Sequence, residues 1–338
     1  MPKISVILPI YNAANTLSQT LGSLQRQRSA DFEIVAINDG STDTSLTILE
    51  TYAQKDNRIV MVASKHLGLV AALNQGIKKA TGRFIARMDA DDVSHPDRLH
   101  KQQTFLDQNP DIALVSSRIQ CFPRPHVAGG FRIYEAWLNS LCTPHDIARE
   151  IFVESPVVHP SVMIRRVALE AVGGYRDFGW AEDYDLWLRL HHADYKLAKV
   201  PAVLHFWREH NNRLTRSDDR YSAANFLRAK AHYLSQSPLL ADRQVIIWGS
   251  GQFGGRLAKC LSDKEIESVA FVDVNPKKIG STRQGLPIVG PDQLHAVWSQ
   301  NDQPLVLAAV PSRGARGPIR HYLTSINMVE GRHFLCLA

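Results

Sequence analysis

The chain has 338 residues, a formal net charge of +6 and 44% hydrophobic residues. Its length exceeds what one hydrophobic core usually spans, which predicts two domains, and its composition is typical of a globular protein. The positive charge includes no dense basic run. This argues against nucleic-acid binding and leaves attraction to phosphate-bearing substrates or an anionic membrane surface open.

The first hundred residues alternate between strand and helix patterns. We expect strands at 4–8, 33–37, 59–63 and 84–88. We expect three helices between them: one at 16–27, one that includes Leu46 and Leu49, and one at 69–79. This alternation is typical of a mostly parallel sheet with helices on its faces. Ligands of such sheets bind beyond the carboxyl ends of the strands. Three polar clusters, at residues 9–12, 38–43 and 89–92, fall there and mark the predicted ligand site.

The rest of the chain continues the mixed pattern and then begins a second unit. We expect a Pro/Gly-rich loop at 123–130, helices at 136–151 and 181–190, strands at 157–164 and 198–206, and a linker helix at 222–236. A strand at 245–248, a Gly-rich turn, a helix and a strand at 269–273 follow. The predicted fold is α/β, with one domain over residues 1–240, including the linker helix, and a smaller domain over 241–338.

A cluster of acids follows the fourth predicted strand: Asp89, Asp91 and Asp92. Residues i and i+2 of a strand face the same side, so Asp89 and Asp91 can point together at a ligand. Carboxylates this close repel one another unless a cation lies beside them. Mg²⁺ or Mn²⁺, with phosphate oxygens in its shell, is the natural partner. A solvated turn that caps the next helix is the alternative, and the position beside two other polar clusters favours the metal.

Asp39 ends the second predicted strand and precedes Gly40, where the backbone can turn sharply or approach a ligand. Its carboxylate can accept hydrogen bonds from a nucleobase or a ribose. Helix capping is the alternative interpretation of this segment, and it suits Ser41 and Asp43 better than Asp39.

Together these motifs resemble those of family 2 glycosyltransferases, which have the GT-A fold. The resemblance rests on residues 5–12 (SVILPIYN), 38–43 (NDGSTD) and 88–92 (MDADD), in the family's order, and on Gly68, Asn74, Gly76 and Gly82 between them. It spans residues 3 to about 215. It implies a GT-A first domain and a nucleotide-sugar donor, with a UDP-sugar expected. It implies base and ribose contacts from Pro9, Tyr11, Asn12 and Asp39, a metal on Asp91 that bridges the diphosphate, and Asp89 nearby.

A second acidic cluster opens the helix predicted at 181–190. Glu182, Asp183 and Asp185 lie in its first turn, where negative charge stabilises a helix by ~0.3–1 kcal/mol. Beside aromatic side chains such as Trp180, the same acids also describe a sugar-sized cleft. The resemblance implies that Asp183 is the catalytic base and Glu182 its neighbour in the acceptor site. We expect Asp185 and Arg189, at i and i+4, to form a structural pair.

These roles predict the reaction. A positioned carboxylate that removes a proton from a sugar hydroxyl is typically worth ~10²–10⁴-fold in rate. The anomeric carbon passes through an oxocarbenium-like state, and a divalent cation neutralises the departing diphosphate. One base, one metal and no evident second nucleophile predict a single displacement with inversion.

Two histidines and two arginines are further candidates. His159 lies in a segment, VVHPS, that also resembles the family, and we place it with Trp180 in the acceptor or diphosphate region. His210 falls where related enzymes close over the diphosphate, which makes it a candidate metal ligand, and Arg208 or Arg213 could clamp phosphate. Because the chain has fourteen histidines, an ordinary surface role for either one is an equal alternative.

The C-terminal unit carries a nucleotide-binding pattern. Gly249, Gly251 and Gly254 form a GxGxxG turn between a strand and a helix, and Asp273 ends the next strand 19 residues later. This resembles the first half of a Rossmann domain, and residues 274–338 are too few for a full second half. A nucleotide-binding, regulatory or subunit-contact module and an empty Rossmann-like fold are equal alternatives.

We therefore predict a metal-dependent hexosyltransferase-type enzyme that uses Mn²⁺ or Mg²⁺ and acts in glycan or polysaccharide biosynthesis. Its partners are a nucleotide-sugar donor and a hydroxyl acceptor on a glycan, a lipid-linked glycan or another molecule, and a homo-oligomer is compatible with the sequence. One alternative is a sugar-nucleotide oxidoreductase or nucleotide-sensing protein that uses the C-terminal unit. Another is a non-catalytic scaffold, against which the combination of Asp39, Asp91 and Asp183 argues.

The cysteines and the N-terminus predict where the protein acts. The four cysteines form no CxxC pair, which favours ordinary thiols in a reducing compartment. The N-terminus shows no charged-then-apolar leader. We expect a cytoplasmic enzyme, compatible with peripheral contact to the inner face of the membrane.

Overall fold

The computed structural model describes residues 2–28, 31–211, 213–302 and 304–338. They form two compact units: the first comprises the chain up to Ala148, Pro156–Phe178 and Glu182–Ser217, and the second comprises Arg149–Ser155, Gly179–Ala181 and Asp218–Ala338. The helix expected as a linker lies with the second unit, and the domain boundary near residue 240 stays a prediction. No helix in the described ranges is long and apolar enough to cross a membrane.

The first unit is built on an eight-stranded mixed sheet. Its strands are β1 (Ile4–Ile10), β2 (Phe32–Asp39), β3 (Ile59–Ser64), β4 (Phe84–Arg87), β5 (Val93–Ser94), β6 (Ile112–Phe122), β7 (Met163–Arg165) and β8 (Lys196–Arg208). Their order is β3-β2-β1-β4-β7-β6-β8-β5. The first four in this order are parallel, and β7 runs antiparallel to both its neighbours. The carboxyl ends of β1, β2 and β4 therefore lie at one edge.

Nine helices flank this sheet or connect its strands in the described part of the chain up to Ser217. They are α1 (Leu17–Gln25), α2 (Ser45–Ala53), α3 (Leu69–Lys79), α4 (Arg98–Gln108), α5 (Gly129–Ser140), α6 (Pro144–Glu150), α7 (Arg166–Ala171), α8 (Glu182–His192) and α9 (Leu214–Ser217). Val6 and Leu8 of β1 join Leu17, Leu21 and Leu24 of α1 in one buried cluster. The helical spacing of the three leucines puts them on one face, which holds α1 against the sheet.

Most of the predicted elements are confirmed. The strands and helices expected within the first hundred residues all form, with ends within two residues of the prediction. The same holds for α8, for β8 and for the helix expected at 222–236. The central strands are buried on both faces, as parallel strands covered by helices should be.

The strand predicted at 157–164 is wrong. A short 3₁₀ turn, His159–Ser161, occupies its middle, and only β7 follows as a strand. Pro160 has no N–H to donate to a sheet ladder. The hydroxyl of Ser161 instead donates to the Val158 carbonyl at 2.6 Å, which closes the turn.

The single helix predicted at 136–151 is also wrong. Two helices, α5 and α6, take its place, and α5 begins inside the segment predicted as a loop at 123–130. The break falls just before Pro144, whose ring restricts the preceding residue to extended conformations and suits the first position of a new helix.

The second unit has a six-stranded sheet of Rossmann-like order. Its elements are α10 (Ala223–Ser235), β9 (Val245–Trp248), α11 (Gln252–Ser262), β10 (Ser268–Val272), β11 (Thr282–Arg283), β12 (Leu286–Val289), α12 (Leu294–Gln300), β13 (Leu305–Ala308), α13 (Arg316–Ser325) and β14 (Phe334–Cys336). The strand order is β11-β12-β10-β9-β13-β14, with all pairs parallel except β11 and β12. The strands predicted at 245–248 and 269–273 are confirmed as β9 and β10.

Gly82 provides a test of the packing of the first unit. A Cβ built on it would lie 2.7 Å from the backbone nitrogen of Ser5 at the start of β1, and rigid backbone cannot move aside. We expect Gly82→Ala to destabilise the unit by roughly 1–3 kcal/mol through overpacking, which lowers the midpoint of thermal unfolding. Gly129→Ala is the matched control, because its Cβ would meet no atom within 4 Å. Equal midpoints for the two variants would contradict this packing.

Candidate active site

The three polar clusters predicted from the sequence come together at one edge of the sheet. β1 pairs in parallel with both β2 and β4, so the residues that follow these strands are neighbours. They are the segment after Ile10, the Asp39–Gly40 corner and the acidic turn from Asp89 to Asp92.

Asp39 is buried, and hydrogen bonds from neighbouring residues hold its carboxylate in place. Its carboxylate accepts hydrogen bonds from the backbone N–H groups of Leu67 and Gly68, at 2.9 and 3.0 Å, and lies 2.9 Å from Nδ1 of His66. Gly40 follows with φ of 69°, and a Cβ there would lie 2.7 Å from the backbone nitrogen of His66. The glycine therefore lets the loop after β3 approach the end of β2.

The ring of Tyr11 stacks on the imidazole of His66. Their centroids are 3.9 Å apart with an interplanar angle of 16°, and Tyr11 remains 48% exposed. A flat aromatic surface beside the Asp39 carboxylate is suited to a nucleobase and its sugar. His66 was missed by the sequence analysis, because nothing in the local pattern shows that residues 39 and 66 meet.

Asn12 and Pro9 support this corner. Asn12 has φ of 50°, its side-chain oxygen accepts from the backbone N–H of Thr42 at 2.8 Å, and its own N–H donates to the Ser41 hydroxyl at 3.1 Å. Pro9 lies within β1, opposite Ile37 of β2. In this structure Asn12 therefore holds the turn that follows Asp39.

Asp89 and Asp91 converge, as expected from their spacing, and Asp92 joins them. One carboxylate oxygen of each lies within 4.8 Å of the others. The expected cause, alternation along a strand, is wrong: β4 ends at Arg87, and the acids meet because residues 88–92 turn, with the N–H of Asp92 donating to the Asp89 carbonyl at 3.4 Å.

Each acid has a different partner. Asp92 is buried and accepts from the backbone N–H of Arg208 at 2.7 Å, with Nε2 of His205 at 2.8 Å. Asp91 lies 2.8 Å from Nε2 of His210. Asp89 forms an ion pair of 2.6 Å with Arg87. Both oxygens of Asp92 are thus engaged by β8, whereas Asp89 and Asp91 remain about one-third exposed.

The electrostatics of the turn favour a cation. Burial, then the charges of Asp92 and Asp89, raise the pKa of Asp91 to about 6, and burial with the charge of Asp89 raises the pKa of Asp92 to about 8. Burial and the neighbouring carboxylates thus disfavour the charged forms of these acids, and a cation would stabilise them. Carboxylate oxygens suit Mn²⁺ or Mg²⁺, so the acids present fit the predicted metal.

Arg208 lies beside the turn but is already engaged. Its Nε donates to the Asp91 carbonyl at 2.5 Å, another nitrogen bonds the side chain of Gln19, and the guanidinium lies over the ring of Phe122 at 4.5 Å. Arg213 pairs with Glu209 at 3.0 Å and lies over Trp207. Arg208 is thus near the predicted metal site, whereas Arg213 is held by other protein groups.

The second acidic cluster opens α8. Glu182 is buried, and its carboxylate lies 3.7 Å from Nδ1 of His159. His159 in turn lies 2.7 Å from the hydroxyl of Tyr175. Burial, then the charge of Arg87, lower the pKa of His159 well below its usual value, so the ring is neutral. Asp183 is half-buried, and its carboxylate accepts from the N–H of Tyr184 at 2.7 Å.

Other residues of this region have structural contacts. Asp185 is fully buried and pairs with Arg189 at 2.7 Å, which confirms the expected structural pair. Trp180 belongs to the second unit, where its indole lies 5.4 Å from the ring of His232 and 5.9 Å from the guanidinium of Arg228. Its predicted place in the acceptor region stays a prediction.

Arg87 is the buried cation that the sequence analysis missed. Its side chain is 3% exposed; this burial disfavours its charge, but the charges of Asp89, Tyr175 and Glu182 outweigh it and raise its pKa. A second buried arginine, Arg98, donates to the Arg87 carbonyl at 2.6 Å and fixes the start of the turn. Neither could be recognised in advance, because an arginine is usually exposed, whether it ends a strand, as Arg87 does, or begins a helix, as Arg98 does.

We expect Arg87→Met to destabilise the first unit by ~3–5 kcal/mol, because it leaves Asp89 and the buried Glu182 without their compensating charge. Arg87→Lys should restore part of this loss. The midpoint of thermal unfolding of the full chain measures both effects, and Arg83→Met, at a neighbouring exposed arginine of an ion pair with Asp107, is the control. A midpoint for Arg87→Met equal to that of the control would contradict the charge balance.

The Gly-rich turn of the second unit has the expected geometry. Gly249 has φ of 123°, and a Cβ on Gly254 would lie 1.9 Å from the Gly249 carbonyl oxygen, so only glycine fits there. Asp273 accepts hydrogen bonds from Ser250, from Lys278 at 2.8 Å and from the N–H of Asn275 at 2.9 Å. Burial raises the pKa of Asp273, but these donors outweigh it and hold the pKa at about 2.

The family models match both units. A model described as Glycosyl transferase family 2 matches residues 5–173, and one described as C2185-like, N-terminal, matches residues 241–298. The amylovoran biosynthesis glycosyltransferase AmsE of Erwinia amylovora is 31% identical over 203 residues, which cover 59% of this chain and 74% of that protein. An uncharacterized glycosyltransferase of Haemophilus influenzae is 31% identical over 218 residues, which cover 62% of this chain and 67% of that protein.

Solved structures confirm the fold. TarS of S. aureus, residues 1–349, in complex with UDP-GlcNAc, superposes with a TM-score of 0.58 at 19% identity and covers 78% of this chain and 72% of that one. The mannosyltransferase PcManGT of Pyrobaculum calidifontis, in complex with GDP-Man and Mn²⁺, superposes with a TM-score of 0.50 at 21% identity, over 70% and 62% of the chains.

The fold defines an enzyme of the GT-A type. The chain belongs to glycosyltransferase family 2, and it is a glycosyltransferase. The alternative of an oxidoreductase is not favoured, because the family match falls on the unit with the acidic turn.

Proposed function

We propose that this enzyme transfers a sugar, with inversion, from a UDP-sugar to an acceptor hydroxyl during the assembly of a polysaccharide. The observation that carries the proposal is the acidic turn: Asp91 contacts His210 and faces Asp89 at the carboxyl end of the parallel strands. The name of AmsE supports a polysaccharide product, and TarS was solved with UDP-GlcNAc and with UDP.

The nucleotide would bind between Tyr11 and Asp39. The exposed ring of Tyr11 offers a stacking surface, and the ordered carboxylate of Asp39 offers acceptors for base or ribose donors. Asn12, next to Tyr11, holds the turn after Asp39 through Ser41 and Thr42, and Pro9 pairs with Ile37 of β2.

Asp91 and His210 would hold the divalent cation, with Asp89 next to it. Asp92 is not a proposed ligand, because both its oxygens accept hydrogen bonds from β8. When bound, Mn²⁺ or Mg²⁺ supplies the positive charge that a departing diphosphate needs. PcManGT, solved with GDP-Man and Mn²⁺, supports such a requirement. The guanidinium of Arg208, fixed beside Asp91, would add positive charge to the same region.

Asp183 would act as the base. Its carboxylate takes the proton of the acceptor hydroxyl, the hydroxyl oxygen attacks the anomeric carbon, and the bond from that carbon to the diphosphate oxygen breaks on the opposite face. One displacement inverts the configuration. The buried Glu182 and the neutral His159 would orient the acceptor beside Asp183. The proposed acceptor is a glycan, free or lipid-linked, which is consistent with action in the cytoplasm at the inner face of the membrane.

Removal of the proposed metal ligand provides the first test. We expect Asp91→Ala to abolish the part of UDP binding that depends on Mn²⁺, because the remaining Asp89 is paired with Arg87. Fluorescence titration with UDP, in Mn²⁺ and in excess chelator, measures it. Asp111→Ala, at an exposed acid paired with Lys196, is the matched control. Metal-dependent binding retained by Asp91→Ala would exclude Asp91 as a ligand.

Replacement of the proposed base provides the second test. Asp183→Asn keeps the size of the side chain and its acceptor for the Tyr184 N–H, so we expect UDP binding to stay unchanged while turnover falls by ~10²–10⁴-fold. Asp194→Asn is the control; it lies just beyond α8 with φ of 59°, which asparagine tolerates. Turnover near that of the wild type in Asp183→Asn would remove Asp183 from this role.

A further inference from the structure

The second unit contains a cleft that the proposed transfer reaction does not use. Its volume is about 360 Å³, and it is lined by residues at the carboxyl ends of β9, β10 and β13, among them Trp248, Asp273 and Ala309. The sheet order reverses at β9, with β10 and β12 on one side and β13 and β14 on the other. Open parallel sheets bind their ligands at this point of reversal.

One end of the cleft is suited to phosphate. Gly251 is the N-cap of α11, and the first turn of this helix contains no acidic residue. The N–H groups there and the helix dipole attract anions. Lys278 also lines the cleft; it pairs with Asp273 at 2.8 Å, and its 41% exposed side chain adds positive charge to the lining.

Much of the lining of the cleft is apolar. Phe253, Val274, Val310 and Pro311 belong to it, and Val274 is 71% exposed in this structure. A base-sized ring can pack against such side chains, and Asp273, which also lines the cleft, can share its carboxylate between a ribose hydroxyl and its present donors.

The volume of the cleft favours a mononucleotide over a dinucleotide. Ligand pockets range from ~300 to 1,000 Å³, and this cleft is near the lower limit. A dinucleotide site also needs a second set of three strands, whereas in the described residues two strands, β13 and β14, lie on that side of β9. Among the described residues that line the cleft, Asp273 is the single carboxylate, and it is paired with Lys278, so these residues offer no cluster of acids for a cation.

We propose that this cleft binds a single ribonucleoside diphosphate group without a divalent metal, as a second ligand site in addition to the donor site. The site belongs to the second unit alone. Its occupation is therefore independent of whether the acidic turn of the first unit binds a metal and a donor.

Calorimetric titration of the full chain with ADP, GDP and UDP in excess chelator tests the proposal. We expect at least one of them to bind with one equivalent per chain. Gly251→Val should weaken that binding about tenfold or more. A Cβ on Gly251 would meet no atom within 4 Å, and Gly251 lines the cleft, so we expect a valine there to be accommodated and to narrow the cleft. Gly317→Val is the matched control, because Gly317 is equally open and lies in α13, outside the cleft.

Binding that Gly251→Val abolishes and Gly317→Val preserves confirms the site. Failure of all three diphosphates to bind in chelator, or equal binding by both variants, overturns it. Binding of NAD⁺ alone overturns the assignment to a single nucleotide. If circular dichroism shows that Gly251→Val does not fold, Lys278→Gln takes its place, and unchanged affinity in that variant overturns the role of the phosphate end. Metal-dependent UDP binding in Gly251→Val reports separately on the donor site.

Discussion

The carboxylate of Asp92 is held inside the first unit by His205 and by the backbone N–H of Arg208. Burial disfavours charge on both side chains: it raises the pKa of Asp92 and lowers that of His205. Because a buried carboxylate must keep its partners, this contact fixes the acidic turn to β8. Asp91 precedes Asp92 by one residue, and His210 follows Arg208 by two. The contact between Asp92 and Arg208 therefore also brings Asp91 and His210 together.

Arg87 compensates the negative charge of the carboxylates that this contact brings together. Its guanidinium is buried, pairs with Asp89 and also feels the charge of Glu182, at the start of α8. The acids proposed for the donor and those proposed for the acceptor therefore share one counter-charge. A site that concentrates carboxylates in this way is unfavourable without such a cation, and it is correspondingly receptive to a second one that arrives with a diphosphate.

The sequence predicted those parts of the site that local patterns encode. The strand ends located Asp39 and the acidic turn, and the acid-rich first turn located α8. The Gly-rich turn of the second unit followed from its spacing, whereas Lys278 did not. The partners His66 and His205 escaped prediction because they reach the site from a loop and a strand that are distant in sequence, whereas Arg87 ends a predicted strand, where an arginine is usually exposed. The apolar residues at 157–164 indicated a strand, but the strand does not form there because Pro160 cannot donate to a sheet ladder.

Electron paramagnetic resonance of Mn²⁺ in the presence of the full chain tests most directly whether the acidic turn is a donor-linked metal site. The signal of Mn²⁺ with the chain is compared with that of Mn²⁺ alone, and the signal with UDP is compared with that of Mn²⁺ and UDP, because UDP itself binds Mn²⁺ in solution. We predict that the chain removes one equivalent of Mn²⁺ from the free signal, and that UDP tightens this binding. A free Mn²⁺ signal that neither the chain nor the chain with UDP reduces would contradict the metal site, and with it the proposed activation of the leaving diphosphate.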